Sequence, residues 1–211
     1  MNIFLNKKIL IYGLGKSGLS AFKFLKNRSN VFLYDDFKFN ISKSTVKKNL
    51  ITKKKILNLN FDRIIISPGI DINNCKLSKY LKTNYNKIYT DLDIFYEFYK
   101  NDCITITGTN GKSTTCQLLY KVLSNQKHDV KLVGNIGIPI LSTKNIRKET
   151  IFVIEASSYQ LEYSKIFRSK YAAIINLSPD HIERHRTINK YVKAKFSLLK
   201  NQLKGNLAFV K

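Results

Sequence analysis

Residues 103–115 read CITITGTNGKSTT. Residues 104–106 are a short run rich in β-branched side chains, the composition of a buried strand. The run ends in a turn with two glycines, and the apolar spacing after it predicts a helix to about residue 123. Strand, glycine turn and helix in that order are the unit of a parallel α/β fold. Backbone N–H groups of such a turn can cradle phosphates, Lys112 can reach the β- and γ-phosphates, and the Ser113 hydroxyl can hold Mg²⁺. The first glycine of the common P-loop pattern would fall at Ile106, where it is absent. Even so, Gly108, Thr109, Asn110, Gly111, Lys112, Ser113 and Thr114 predict a nucleoside-triphosphate site.

About 95 residues upstream the same pattern occurs once already. Residues 8–12, KILIY, are an uninterrupted apolar run that leads into Gly13-Leu14-Gly15-Lys16-Ser17-Gly18. Leu19, Phe22 and Leu25 then lie on one helical face. A second strand over 31–34 ends at Asp35 and Asp36. A Lys- and Asn-rich stretch with weak periodicity follows, then a strand over 64–66 that ends in Ser67-Pro68-Gly69. Glycines at the first turn allow a phosphate close to helix N–H groups, and an acid about 20 residues on is placed for a ribose hydroxyl. A dinucleotide, another nucleotide or a diphosphate-linked sugar would use the same physics.

Downstream, strands are predicted over 130–133, 151–154, 171–176 and 207–210, and a helix over 188–199. A helix over 92–100 connects the halves. The expected architecture is a Rossmann-like unit over residues 1–91 and a P-loop-type ATPase unit with a mainly parallel sheet over 92–211. Glu155 closes an apolar strand, where a carboxylate can hold a metal or a water. Asp180, His181 and His185 follow another strand and are candidate metal ligands. Asn135 lies in a glycine turn over 134–139.

The chain has 211 residues, 37 Lys+Arg against 14 Asp+Glu, and a formal charge of +23. That balance suggests a polyanionic partner. Lys, Ile and Asn are 78 residues, however, and all three have AT-rich codons, so compositional drift accounts for the charge. No motif for reading nucleic acid is present. The three cysteines have no CxxC spacing, which gives no support to a zinc or disulfide framework. No apolar stretch reaches about 18 residues and no signal-peptide pattern opens the chain. The expectation is a soluble cytoplasmic protein that engages neither nucleic acid nor membrane.

Taken together, residues 107–114 (TGTNGKST), 134–139 (GNIGIP), 155–162 (EASSYQLE), 176–185 (NLSPDHIERH) and Tyr191-x-x-Ala194-Lys195 resemble, in order and spacing, the Mur ligase family of ATP-dependent amide-forming enzymes of peptidoglycan synthesis. In that family the P-loop lacks its first glycine. Residues 13–21 (GLGKSGLSA), 67–70 (SPGI) and 90–95 (TDLDIF) resemble the branch that adds D-glutamate to UDP-N-acetylmuramoyl-L-alanine. The resemblance implies ATP and Mg²⁺ as cofactors and an acyl-phosphate intermediate. It implies that Lys112, Lys195 and His181 are catalytic, with Lys195 carbamylated, and that Ser113, Glu155, His181 and Lys195 serve the metal. Gly15, Lys16, Ser17, Asp35, Asp36, Gly69, Asn135 and His181 would contact the nucleotide sugar. Phe37 stands where relatives often carry a basic residue. Relatives are about twice as long, so the chain is expected to end inside the central domain and to be inactive alone, as a monomer or paired with a separate C-terminal fragment. A nucleotide-binding pseudo-enzyme and a nicotinamide-dependent oxidoreductase are the alternatives.

Overall fold

The computed structural model describes residues 2–37 and 44–211. Strand β1 (Lys8–Tyr12) is the apolar run of the first glycine motif, and α1 (Lys16–Leu25) follows it. Next come β2 (Asn30–Tyr34), α2 (Ser44–Asn49), α3 (Lys53–Leu57) and β3 (Arg63–Ile66). Helix α4 (Ser78–Thr83) leads to the two-residue β4 (Ile88–Tyr89). These strands form a parallel sheet of order β2-β1-β3-β4. With a neighbour on either side, β1 is buried from Ile9 to Tyr12, which is why it reads as unbroken apolar sequence rather than alternation.

Helix α5 (Asp91–Phe98) joins the two sheets. Thr90 and Asp93 form a capping box that starts it, and Leu92, Ile94 and Phe95 are buried. The Phe95 ring meets Phe152 of the second sheet edge-on at 4.7 Å. One core cluster accordingly runs through both halves, from Ile9 and Leu25 to Phe152 and Leu161.

The second half begins with β5 (Cys103–Thr107) and α6 (Lys112–Asn125). It continues through β6 (Val130–Gly134), β7 (Ile151–Glu155), α7 (Ser158–Glu162) and β8 (Tyr171–Ile174). Helices α8 (Ile182–His185) and α9 (Ile188–Phe196) precede β9 (Leu207–Val210). This sheet is also parallel, with order β6-β7-β5-β8-β9. Ile106 is in register with Glu155 and Thr107 with Ile174, so the segments leaving β5, β7 and β8 share one edge. Ligands of open parallel sheets gather at that edge.

The expected strand over 171–176 ends at Ile174, because residues 175 and 176 turn across the P-loop. The expected helix over 188–199 tightens to 3₁₀ geometry at 197–199. The weakly periodic Lys- and Asn-rich stretch holds α2 and α3, while its residues 38–43 lie outside the described residues. Among the described residues, no helix is long and apolar enough to cross a membrane.

Candidate active site

The turn between β5 and α6 is held from the next strand. Asn176 accepts with Oδ1 from the Thr109 and Asn110 N–H groups at 3.0 and 2.8 Å, and its Nδ2 donates to the Asn110 carbonyl at 2.8 Å. A Cβ on Gly108 would stand 2.6 Å from the Ile175 side chain, and Gly111 has φ of 78°, so both positions require glycine. Lys112, at the first turn of α6, donates from Nζ to the Thr109 carbonyl at 2.7 Å.

Glu155 ends β7 and is 1% exposed. Its Oε2 accepts from Ser113 Oγ and its Oε1 from Asn135 Nδ2, each at 2.7 Å. Asn135 also donates its backbone N–H to the Glu155 carbonyl at 2.9 Å. The preceding Gly134 admits this approach, since a Cβ there would stand 2.3 Å from the same carbonyl. A carboxylate and a hydroxyl side by side at a P-loop are the hard oxygen donors that Mg²⁺ takes. Ser113 and Glu155 therefore fit that ion chemically.

Beside this edge lies a cavity of about 290 Å³. Lys112, Asn135, His181 and Lys195, four of the residues singled out from sequence, line it together with Tyr159 and Pro68. Lys195 comes from α9 and is 2% exposed. Its Nζ donates to the Gly108 carbonyl at 2.7 Å and sits 4.6 Å from the centre of the Tyr191 ring. Burial, helped by the nearby Lys112 ammonium, pulls its pKa down to about 8. Tyr191 shares a hydrogen bond with Thr109 Oγ1 at 2.9 Å, tying α9 to the P-loop.

His181 has φ of 51° at the start of α8, and its ring is half exposed, with Asp180 at 3.4 Å and Glu183 at 3.7 Å. Among the described residues, no three His, Cys, Asp or Glu side chains converge on one point. The expected grouping of Asp180, His181 and His185 as metal ligands is thereby corrected. His185 is buried, and its Nε2 is engaged by Ser158 Oγ at 3.0 Å. Burial lowers its pKa, disfavouring the charged ring.

The first glycine motif borders a larger cleft of about 600 Å³, lined by Gly15, Lys16, Ser17, Asp35, Asp36 and Gly69 among others. Asp35 accepts from the Leu14 N–H at 2.6 Å, and Asp36 from the Tyr12 hydroxyl at 2.7 Å. Behind the turn, burial raises the carboxyl pKa of Asp91, opposed by a hydrogen bond from Ser17. A Cβ on Gly18 would stand 1.8 Å from the Gly13 carbonyl, so the fold itself demands that glycine. Gly15 and Gly69 differ. Neither has a positive φ, and a Cβ on either meets nothing within 4 Å. Their missing side chains leave room in the cleft. Pro68 lines both cavities and makes the corner between them.

Reasoning from sequence missed several residues. Asn176 was part of a quoted motif but had no role, because its partners lie 66 and 67 residues away. Asp93 is fully buried and accepts from Ser164 Oγ and the N–H groups of Lys165, Ile166 and Phe167 at 2.8–3.0 Å, which ties α5 to the second half. Arg184 lies in the stretch over 176–185, but nothing in the sequence assigned it a role.

Residues 106–211 match the Mur ligase middle domain, and residues 7–88 match the Mur ligase MurD-like N-terminal domain. The UDP-N-acetylmuramoylalanine–D-glutamate ligase of Rickettsia felis is 35% identical over 217 residues, covering 100% of this chain and 47% of the relative. That of Rickettsia prowazekii is 37% identical over 215 residues, with the same coverage of 100% and 47%. The chain thus spans about half the length of the curated relatives it matches. Among solved structures, the UDP-N-acetylmuramate:L-alanyl-gamma-D-glutamyl-meso-diaminopimelate ligase of Neisseria meningitides superposes with a TM-score of 0.59 at 16% identity, over 98% of this chain and 71% of that one. This last likeness speaks for the fold alone. With the middle-domain match spanning half of its residues and the N-terminal match preceding it, the chain belongs to the Mur ligase family.

Proposed function

We propose that this chain carries the nucleotide-sugar and ATP sites of a ligase that joins D-glutamate to UDP-N-acetylmuramoyl-L-alanine. One observation carries the reading. Lys112, Asn135, His181 and Lys195 line a single cavity beside the P-loop, and Pro68 joins it to a cleft that Gly15 and Gly69 leave open. The substrate's diphosphate would lie against Gly15, Lys16 and Ser17 in the unit over residues 1–91, with Asp35 and Asp36 toward the uridine. Its alanyl carboxylate would reach the cavity of the unit over 92–211.

The chemistry requires activation, because a carboxylate is a poor electrophile with a poor leaving group. Its oxygen attacks the γ-phosphorus of ATP, giving an acyl phosphate and ADP. The D-glutamate amine then attacks the acyl carbon and expels phosphate, forming the amide. Residues 108–114 hold the triphosphate, and the Lys112 ammonium neutralises charge on the transferring group. Ser113 and Glu155 would hold Mg²⁺, which supplies charge neutralisation between the two anions when bound. His181 and Lys195 face the substrate end of the cavity. With its pKa lowered to about 8, Lys195 holds a minor share of neutral amine at neutral pH, far more than a solvent-exposed lysine would. That amine can add CO₂ and lose a proton, giving an anionic carbamate opposite Lys112.

Calorimetric titration with UDP-N-acetylmuramoyl-L-alanine tests the reading. A Gly15→Val side chain would project into the cleft without touching the fold. Binding by the native chain, weakened at least about tenfold in Gly15→Val at unchanged melting temperature, is expected. No binding by the native chain, or equal binding by both, refutes it.

A further inference from the structure

The two cavities meet at Pro68, and a single side chain spans the corner behind it. Arg184 lies on α8, three residues after His181, and its side chain is only 9% exposed. Its Nη2 donates to the Ile70 carbonyl at 2.7 Å and to Glu162 Oε2 at 3.1 Å. Its Nε lies 4.0 Å from Asp71 Oδ1, and its guanidinium carbon lies 5.1 Å from the centre of the Tyr159 ring. Ile70 and Asp71 line the large cleft, whereas Tyr159 lines the smaller cavity. One guanidinium therefore touches a wall of each cavity at the place where they join.

We propose that Arg184 is a positioning residue that fixes the span between the two cavities and so selects a nucleotide sugar of one reach. The inference rests on the nucleotide-sugar reading above. A guanidinium suits the task because it is planar, permanently charged and donates in fixed directions to two acceptors at once. Glu162 comes from α7 of the second half, while Ile70 and Asp71 belong to the turn after β3 of the first. Arg186 adds a looser contact with Asp71 at 3.9 Å. Other ties between the halves use different residues. Ser20 pairs with Ser142 at 2.9 Å, and Lys165 donates from Nζ to the Tyr85 carbonyl, and none of these residues lines either cavity. Loss of Arg184 consequently leaves the halves attached while freeing the corner between the sites. A ligand confined to one cavity is indifferent to that span. A ligand that must reach through both is not.

The test compares two ligands on the 211-residue chain by titration calorimetry: UDP, which the large cleft alone would hold, and UDP-N-acetylmuramoyl-L-alanine, which spans the corner. In Arg184→Met, affinity for UDP is expected to stay within about threefold of native, and affinity for UDP-N-acetylmuramoyl-L-alanine to fall at least about tenfold. Arg184→Lys keeps the charge but not the fork. It is expected to show the same selective loss, and it carries the test if the methionine variant does not fold by circular dichroism. Equal losses for both ligands, or no loss for either, overturn the inference while leaving the nucleotide-sugar reading intact. A native chain that binds neither ligand overturns both.

Discussion

Replacing Lys195 by methionine should change how stability depends on pH, with a sign that burial of the ammonium dictates. A buried lysine has its charged form disfavoured by the fold, so its pKa falls, here from 10.5 to about 8. Below the folded pKa the native state must carry the charge in a poor environment. Above the unfolded pKa neither state carries it. Between these values the unfolded chain binds more protons than the native one, and native stability therefore rises with pH. At about 1.4 kcal/mol per unit, the climb between about pH 7 and about pH 9.5 amounts to about 2 kcal/mol. Methionine fills a similar volume without a charge, so Lys195→Met lacks this climb. It also leaves the Gly108 carbonyl without its 2.7 Å donor, an offset of about 1–3 kcal/mol that does not vary with pH. The slope, not the offset, is the diagnostic quantity. Urea unfolding followed by far-ultraviolet circular dichroism, in buffers freed of CO₂ so that the amine stays unmodified, measures both chains at both pH values. The remaining titrating groups are common to both and cancel in the difference. The stability of the native chain relative to Lys195→Met should rise by about 2 kcal/mol over the interval. A difference constant to within about 0.5 kcal/mol would refute the claim that burial depresses this lysine.

Two further substitutions separate fold from ligand. Gly18→Ala places a methyl 1.8 Å from the Gly13 carbonyl and 2.7 Å from Ser67 Oγ, so the backbone must move. Overpacking of that kind costs about 3 kcal/mol, a fall in Tm of about 6–12 °C by calorimetry, whereas Gly15→Ala, with nothing within 4 Å, should melt with the native chain. Equal melting of both variants would contradict the division between the glycines. Asp93→Asn turns an amide NH₂ toward N–H donors that the carboxylate now accepts, on the side of either Thr90 or the 164–167 segment. The loss should be about 2–4 kcal/mol in urea unfolding, and a loss below about 1 kcal/mol would show that Asp93 does not anchor α5 to the 164–167 segment.

What the sequence revealed and what it hid follow from how far apart the determinants lie. β1 and β5 are flanked by strands on both sides, so their burial is written as a local apolar run in one and a β-branched run in the other, each next to a glycine turn. α7 and α8 have five and four residues, less than two helical turns, and β4 has two, so no period could mark them. The P-loop was plain from its own residues, yet its rigidity depends on Asn176, which is distant in sequence. Lys195 is one of 31 lysines, and nothing in its local composition distinguishes a buried amine from an exposed one. Only the packing of α9 against the P-loop, through the bond between Tyr191 and Thr109, brings it under cover. The separation of His185 from His181 was equally hidden. A single helical turn sends one ring to Ser158 and leaves the other at the cavity.

The charge of +23 can be judged in the same spatial terms. If the lysines had accumulated to hold a polyphosphate, they should crowd the cleft that would bind it. The large cleft instead has Asp35, Asp36 and Asp71 on its wall and Lys16 as its one basic residue among the described lining. A side-chain field of that sign does not attract a diphosphate. What remains to hold one is the start of α1, where backbone N–H groups converge and Gly15 lets a phosphate approach them. Recognition by backbone is insensitive to drift in side-chain composition, since a codon bias toward lysine cannot alter an N–H group. It is sensitive to the glycines, because a Cβ at Gly15 or Gly69 would project into the cleft and one at Gly18 breaks the turn. Eight of the nine glycines lie in the motifs that build these sites, in a chain otherwise rich in Lys, Ile and Asn. The excess lysine thus lies mostly outside the large cleft, whose shape is set by its glycines and backbone.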